Sequence, residues 1–223
     1  MSNKTRRFIL WNSFLYLIAL CLALKIVDVS NYGPNHAYAQ IGLSRLNIGF
    51  RKLLHYSDVN VYSKPWLTVA AVINIICILL MIFWVIMFIR EMVKSGRFDG
   101  VGMDKNYCAT VFLYVAAAVT CLLLKVFKIN YGPVAGHLRI SASFPSVPVL
   151  LYIVSIGSTL FHVWDIFGEK KNLLKALTVI GSVLVLLGTV AVSVCGICWL
   201  TDVLGSVLLG IVLMMLYTFF FDI

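Results

Sequence analysis

The chain has 223 residues, 61% of them hydrophobic and only 12% charged, with a mean hydropathy of +0.98. Soluble domains carry roughly 25% charged residues, so the composition excludes an ordinary soluble protein and indicates an integral membrane one. The net charge of +9 points to anionic lipid surfaces and to orientation signals, and no nucleic-acid partner is expected.

Uncharged apolar runs occur at Phe8–Leu24, Pro65–Ile89, Tyr107–Leu124, Pro145–Trp164, Ala176–Thr201 and Val203–Phe221. Each suits a helix crossing a hydrocarbon core about 30 Å thick. The expected fold is therefore all-α: a polytopic membrane protein of six transmembrane helices in one bundle, forming a single membrane domain over 1–223. Lys4, Arg6 and Arg7 before the first run imitate a signal peptide. The run is long for such a segment and no Ala-x-Ala-like cleavage site follows, so it reads as a retained first helix. The fourth run is the least clean, with His162 near its end and Asp165 just beyond.

Six spans put both termini on one side. Lys and Arg number ten on that side against eight on the other, which places the termini in the cytoplasm by the positive-inside rule. The long first outer loop, Asp28 to Lys64, opens with turn residues at Asn31-Tyr-Gly-Pro-Asn35. Ile41, Leu43, Leu46, Phe50, Leu53 and Leu54 then approximate helical spacing, with Arg45, Arg51 and Lys52 between them. This is an amphipathic helix, either lying on the outer leaflet as an interfacial element or packed over the bundle mouth. The loop from Arg90 to Lys105, with Gly96, Gly100 and Gly102, reads as a solvated connector. No internal repeat or low-complexity tract is evident.

Three short motifs carry chemistry. Cys195-Gly-Ile-Cys-Trp-Leu-Thr-Asp-Val-Leu-Gly205 places Asp202 between two apolar runs, and a carboxylate there usually has a functional reason. Lys125-Val-Phe-Lys-Ile-Asn-Tyr-Gly-Pro133 ends the third span. Phe144-Pro-Ser-Val-Pro148 opens the fourth, where the prolines and Ser146 also suit an ordinary helix start. Together, in order and on one side of a six-span pattern, they resemble the three signatures of the type 2 phosphatidic acid phosphatase and haloperoxidase superfamily over about residues 40–221. Those signatures read Lys-x6-Arg-Pro, Pro-Ser-Gly-His and Ser-Arg-x5-His-x3-Asp.

The resemblance implies a lipid phosphatase fold with a site facing outward from the plasma membrane. In the family the third-signature His attacks phosphorus, the following Asp holds its tautomer, the second-signature His protonates the leaving group, and Lys and two Arg hold the phosphate. Mapped here, Lys125, Ser146 and Asp202 are retained. Gly132, Val147, Pro148, Ala191, Val192 and Cys198 stand at altered positions, so both histidines and both arginines are gone. Loss of a nucleophile costs roughly 10⁴–10⁶ in rate. Each lost Arg hydrogen bond to phosphate removes about 1.5–3 kcal/mol. A catalytically impaired protein is expected, a pseudoenzyme that binds a phospholipid or polyprenyl phosphate headgroup or acts as a scaffold for a membrane-protein partner.

Lys125, Ser146, His137 and Arg139 are the candidate phosphate ligands. Cys198, Pro148 and Asp202 are the degenerate catalytic positions, and neither a metal nor a cofactor is expected. Two alternatives stay open. One is an active lipid phosphate or pyrophosphate phosphatase with a site rebuilt around His137, Arg139 or a metal. The other is a membrane thiol-disulfide protein using Cys195 and Cys198, although that chemistry needs a second mobile pair, and Cys21, Cys77, Cys108 and Cys121 are scattered. A thiolate phosphatase pairs Cys with Arg six residues on; here that residue is Leu204.

Overall fold

The structure is a computed structural model that describes residues 3–32, 39–56, 62–95, 105–133 and 142–220. Among them are seven α-helices: α1 Asn3–Ile26, α2 Ser44–Leu53, α3 Lys64–Ser95, α4 Lys105–Val126, α5 Val147–Phe167, α6 Lys171–Cys195 and α7 Leu200–Phe220. All but α2 are long and apolar enough to cross a membrane. The six anticipated spans are thus present, with shifted ends. The fifth moves most, and its far end falls short because the apolar run continues straight through the turn before the sixth. Gly196 breaks it at φ 84°, the left-handed conformation that ends many helices and that glycine adopts without steric cost.

Two helices form the centre of the bundle. The apolar windows of α5 and α7 are 44% and 56% buried, against 17–22% for the other four. α5 packs on α3, α4, α6 and α7, while α7 packs on α1, α4 and α5. Leu24, Leu113, Leu150 and Leu213 fill one apolar cluster, and Ile73, Cys77, Tyr152 and Val192 fill the other. With no water in the hydrocarbon core, tight contact and satisfied hydrogen bonds hold such a bundle together, not hydrophobicity alone. The ring of Phe144 shows the fit: a Cβ added at Gly205 would collide with it.

The start of α1 and the end of α7 lie at one end of the bundle. There Arg6 Nη1 donates to the Thr218 carbonyl at 2.7 Å, satisfying an acceptor in the last turn of α7. The untidy end of the fourth span is at this end and has a structural explanation. His162 is buried and stacked on Trp84, ring centroids 3.9 Å apart, and on Tyr107 at 5.2 Å. Thr110 Oγ1 lies 2.8 Å from His162 Nε2 and 2.9 Å from the Tyr217 hydroxyl. That Oγ1 donates its one proton to the Asn106 carbonyl, so His162 Nε2 and Tyr217 both donate to it.

The opposite end is closed by the first long loop. β1 (Ser30–Tyr32) and β2 (Ala39–Ile41) pair antiparallel, Ser30 opposite Ile41, where the sequence suggested only a turn. The amphipathic helix is α2, and it packs over the bundle mouth with its polar side inward. Ser44, Asn47 and Arg51 are buried, whereas Leu46 is 49% and Leu53 73% exposed. The inward face is polar because the loop backbone and helix ends beneath it need hydrogen-bond partners. The outward leucines, with Arg45 and Lys52 beside them, suit the interfacial layer of a membrane.

Candidate functional site

The three motifs meet at the α2 end of the bundle. Asp202 is in the first turn of α7 and is fully buried. Its Oδ1 accepts from Asn130 Nδ2 at 2.9 Å, and its Oδ2 accepts from the Trp199 amide at 3.3 Å. The second bond is one half of a capping box: an acidic side chain reaches back to an amide at the helix start. The negative charge also complements the positive end of the helix dipole. Asn130 is itself held, its Oδ1 accepting from the Gly42 amide. Asn47 donates to Thr201 Oγ1 and accepts from the Thr201 amide. Asp202 is therefore a knot joining α7, the segment after α4 and the loop before α2.

Ser146 precedes α5 as its N-cap, with Pro148 two residues on. Its amide donates to the Asp202 carbonyl at 3.3 Å. Ser206 Oγ bridges the Ser146 and Asp202 carbonyls at 3.0 and 2.8 Å. These bonds fix the start of α5 on the start of α7. The Ser146 hydroxyl then points at Cys198, Oγ to Sγ 3.6 Å. Pro148 carries no polar group and contributes only its fixed φ.

Cys198 is partly buried as a residue, with its sulfur turned inward. Burial pushes the thiol up to about 12, and the Asp202 carboxylate adds to the shift; the Ser146 hydrogen bond and the Lys125 charge pull the other way. At neutral pH the thiol therefore stays protonated. The thiolate is the nucleophile in cysteine chemistry, so Cys198 is a poor one. Lys125 lies in the last turn of α4, where a cation suits the helix dipole. It is half-buried, and among the described residues no hydrogen-bond or ion-pair partner holds it. Lys125, Ser146 and Cys198 thus share one small region, with Asp202 sealed beneath them.

His137 and Arg139 lie outside the described residues. Cys195 donates to the Val192 carbonyl at 3.1 Å rather than engaging Cys198, and all six cysteines are free thiols. Among the described residues no cluster of His, Cys, Asp and Glu could hold a metal.

Several residues that build the site were not singled out from sequence. Arg51 Nη1 donates to the Gly196 carbonyl at 2.6 Å, and its guanidinium lies over the rings of Tyr56 and Trp199. The Trp199 indole donates to the Tyr131 carbonyl. Asn130 carried a readable signal: Asn-Tyr-Gly-Pro occurs at 130–133 and again at 31–34, each after a span that ends in lysine. The two ends are neighbours, since Lys25 Nζ donates to the Lys128 carbonyl at 2.9 Å.

A crystal structure of the first transmembrane PAP2 type phosphatidylglycerolphosphate phosphatase from Bacillus subtilis is similar, at TM-score 0.65 over 96% of each chain. The chain has the PAP2-type membrane phosphatase fold. Sequence identity to that enzyme is 19%, so the likeness concerns the arrangement of helices. No protein-family model and no curated protein matches the chain. In this chain the three motifs occupy the end of the bundle capped by α2.

Proposed function

We propose that the protein is a degenerate PAP2-type protein that binds the phosphate of a membrane lipid at Lys125 and Ser146 without hydrolysing it. It would lie in the plasma membrane as a single membrane domain, termini in the cytoplasm and site facing outward. The observation that carries this reading is the state of Asp202. Each of its oxygens accepts a structural hydrogen bond, from Asn130 and from the Trp199 amide, and the residue at the family's histidine position is Cys198, so there is no base there for it to orient. The residue in the nucleophile's place is a neutral thiol next to a carboxylate, and no arginine follows it at the spacing of a thiolate phosphatase. What remains suited to phosphate is one half-buried ammonium beside the buried Ser146 at the start of α5, a combination that attracts anions but supplies no activated nucleophile. The thiol-disulfide reading is less well supported, because Cys195 and Cys198 have separate partners and a high Cys198 pKa opposes exchange.

Purified protein in nanodiscs tests the binding half of this proposal. Phosphatidic acid should be enriched over phosphatidylcholine in the bound lipid, and Lys125→Ala should remove most of that preference. An enrichment that survives Lys125→Ala, or no enrichment at all, would overturn the assignment of the headgroup site.

A further inference from the structure

The helices around α5 do not close evenly. α3 packs on both α4 and α6, and α4 packs on α7, but α6 and α7 meet only sparsely. Between them is a cavity of about 400 Å³, within the range of about 300–1,000 Å³ typical of ligand pockets. Ile153, Gly157 and Leu160 of α5 form its floor, with Gly181 and Val185 of α6 and Met214 of α7 at its sides. No charged residue lines it. Its mouth faces sideways: Ser182 and Leu186 are exposed, and Val183 and Leu187 beside them are 53% and 41% exposed.

The seam lies at tail depth below the end of the bundle that carries the polar site. Ser146 caps α5, and Ile153 to Leu160 are seven to fourteen residues further on, about 10–21 Å at 1.5 Å per residue. Val185 and Gly181 precede Cys195 by ten and fourteen residues, about 15–21 Å, and Met214 follows Asp202 by twelve, about 18 Å. Three helices thus place the cavity at one depth. A lipid tail spans half the hydrocarbon core, roughly 15 Å. A lipid with its phosphate near Lys125 and Ser146 has its tail at the height of this cavity.

We propose that the α6–α7 seam holds one acyl chain of the diacyl lipid whose phosphate is bound above it, an inference that rests on the headgroup reading. An acyl chain is the occupant the surroundings supply: the seam is apolar, open to the bilayer and at tail depth. Met214 is suited to adjusting to it, because its flexible thioether side chain packs across Gly157, where an added Cβ would lie 2.8 Å from Met214 Cε.

The test uses full-length protein in nanodiscs with phosphatidic acid carrying a photoreactive diazirine midway along one acyl chain, followed by peptide mapping. Labelling should concentrate on the segments around Gly181–Leu186 and Met214, at least fivefold above the lipid-facing residues Phe14 and Ile78. Ser182→Trp, placed at the exposed mouth so that folding is preserved, should cut the seam label at least fivefold while the preference for phosphatidic acid over phosphatidylcholine remains. Gly181→Leu is the second variant and should do the same. Label spread evenly over all lipid-facing helices would overturn the seam proposal and leave the Lys125-dependent headgroup preference standing. Seam label indifferent to Lys125→Ala would keep the acyl chain in the seam and remove the headgroup assignment instead.

Discussion

Asp202 accepts from Asn130 Nδ2 and from the Trp199 amide inside a fully buried environment. Replacing it with asparagine leaves one acceptor oxygen and turns an amide N–H toward one of two donors. An unsatisfied buried donor costs about 1–3 kcal/mol. Asp202→Asn should therefore lower the thermal midpoint in detergent, and Asn130→Ala should do likewise. Combined, the two should cost less than their sum because they break the same bond. Unchanged midpoints would mean that the knot is not structural. Cys198 gives a second prediction. Burial disfavours its thiolate, so its pKa is raised, and alkylation should climb about tenfold per pH unit from pH 7 to 9 without levelling off. The same sign makes its contribution to stability fully present at neutral pH and lost as pH rises beyond the unfolded thiol's value of about 8.5. A plateau in reactivity below pH 9 would show an activated cysteine.

At the scale of elements, α2 inverts the usual relation between face and environment. Its buried side carries Ser44, Asn47 and Arg51, and its exposed side carries Leu46 and Leu53. Arg51 satisfies the carbonyl of Gly196, where α6 ends. Arg51→Ala should therefore destabilise the protein by about 1–3 kcal/mol through an orphaned buried carbonyl, whereas Leu53→Ser should fall within about 0.5 kcal/mol, as exposed positions do. The reverse order in thermal melts would contradict the packing. The hydrophobic pattern located α2 in the sequence but could not orient it. Spacing reports amphipathicity, whereas the choice of inward face was made by hydrogen-bond demand from Gly42, Gly196 and Thr201.

At the scale of the molecule, the six spans were legible because the bilayer imposes length and composition on each of them. Their ends were less legible. α6 starts at Lys171 rather than Ala176, since lysines at a helix end can carry their stems along apolar surface and place the charge in the interface. α3, at 32 residues, is about 48 Å long and outreaches the hydrocarbon core. Of the site, the positions of Lys125, Ser146, Cys198 and Asp202 could be read from motif spacing, and the structure brings them to one end of the bundle. Their present partners could not be read, because Asn47, Arg51 and Asn130 arrive from segments distant in sequence. The α6–α7 seam had no sequence signal either, since its lining residues are ordinary apolar ones. Under the proposed function, the whole assembly keeps a phosphate-binding region without the reaction. Phosphate release from phosphatidic acid by the purified protein in nanodiscs, beside Lys125→Ala and Asp202→Asn, measures this most directly. Release should stay at background for all three proteins; release by the unaltered chain that either substitution abolishes would show a working phosphatase instead.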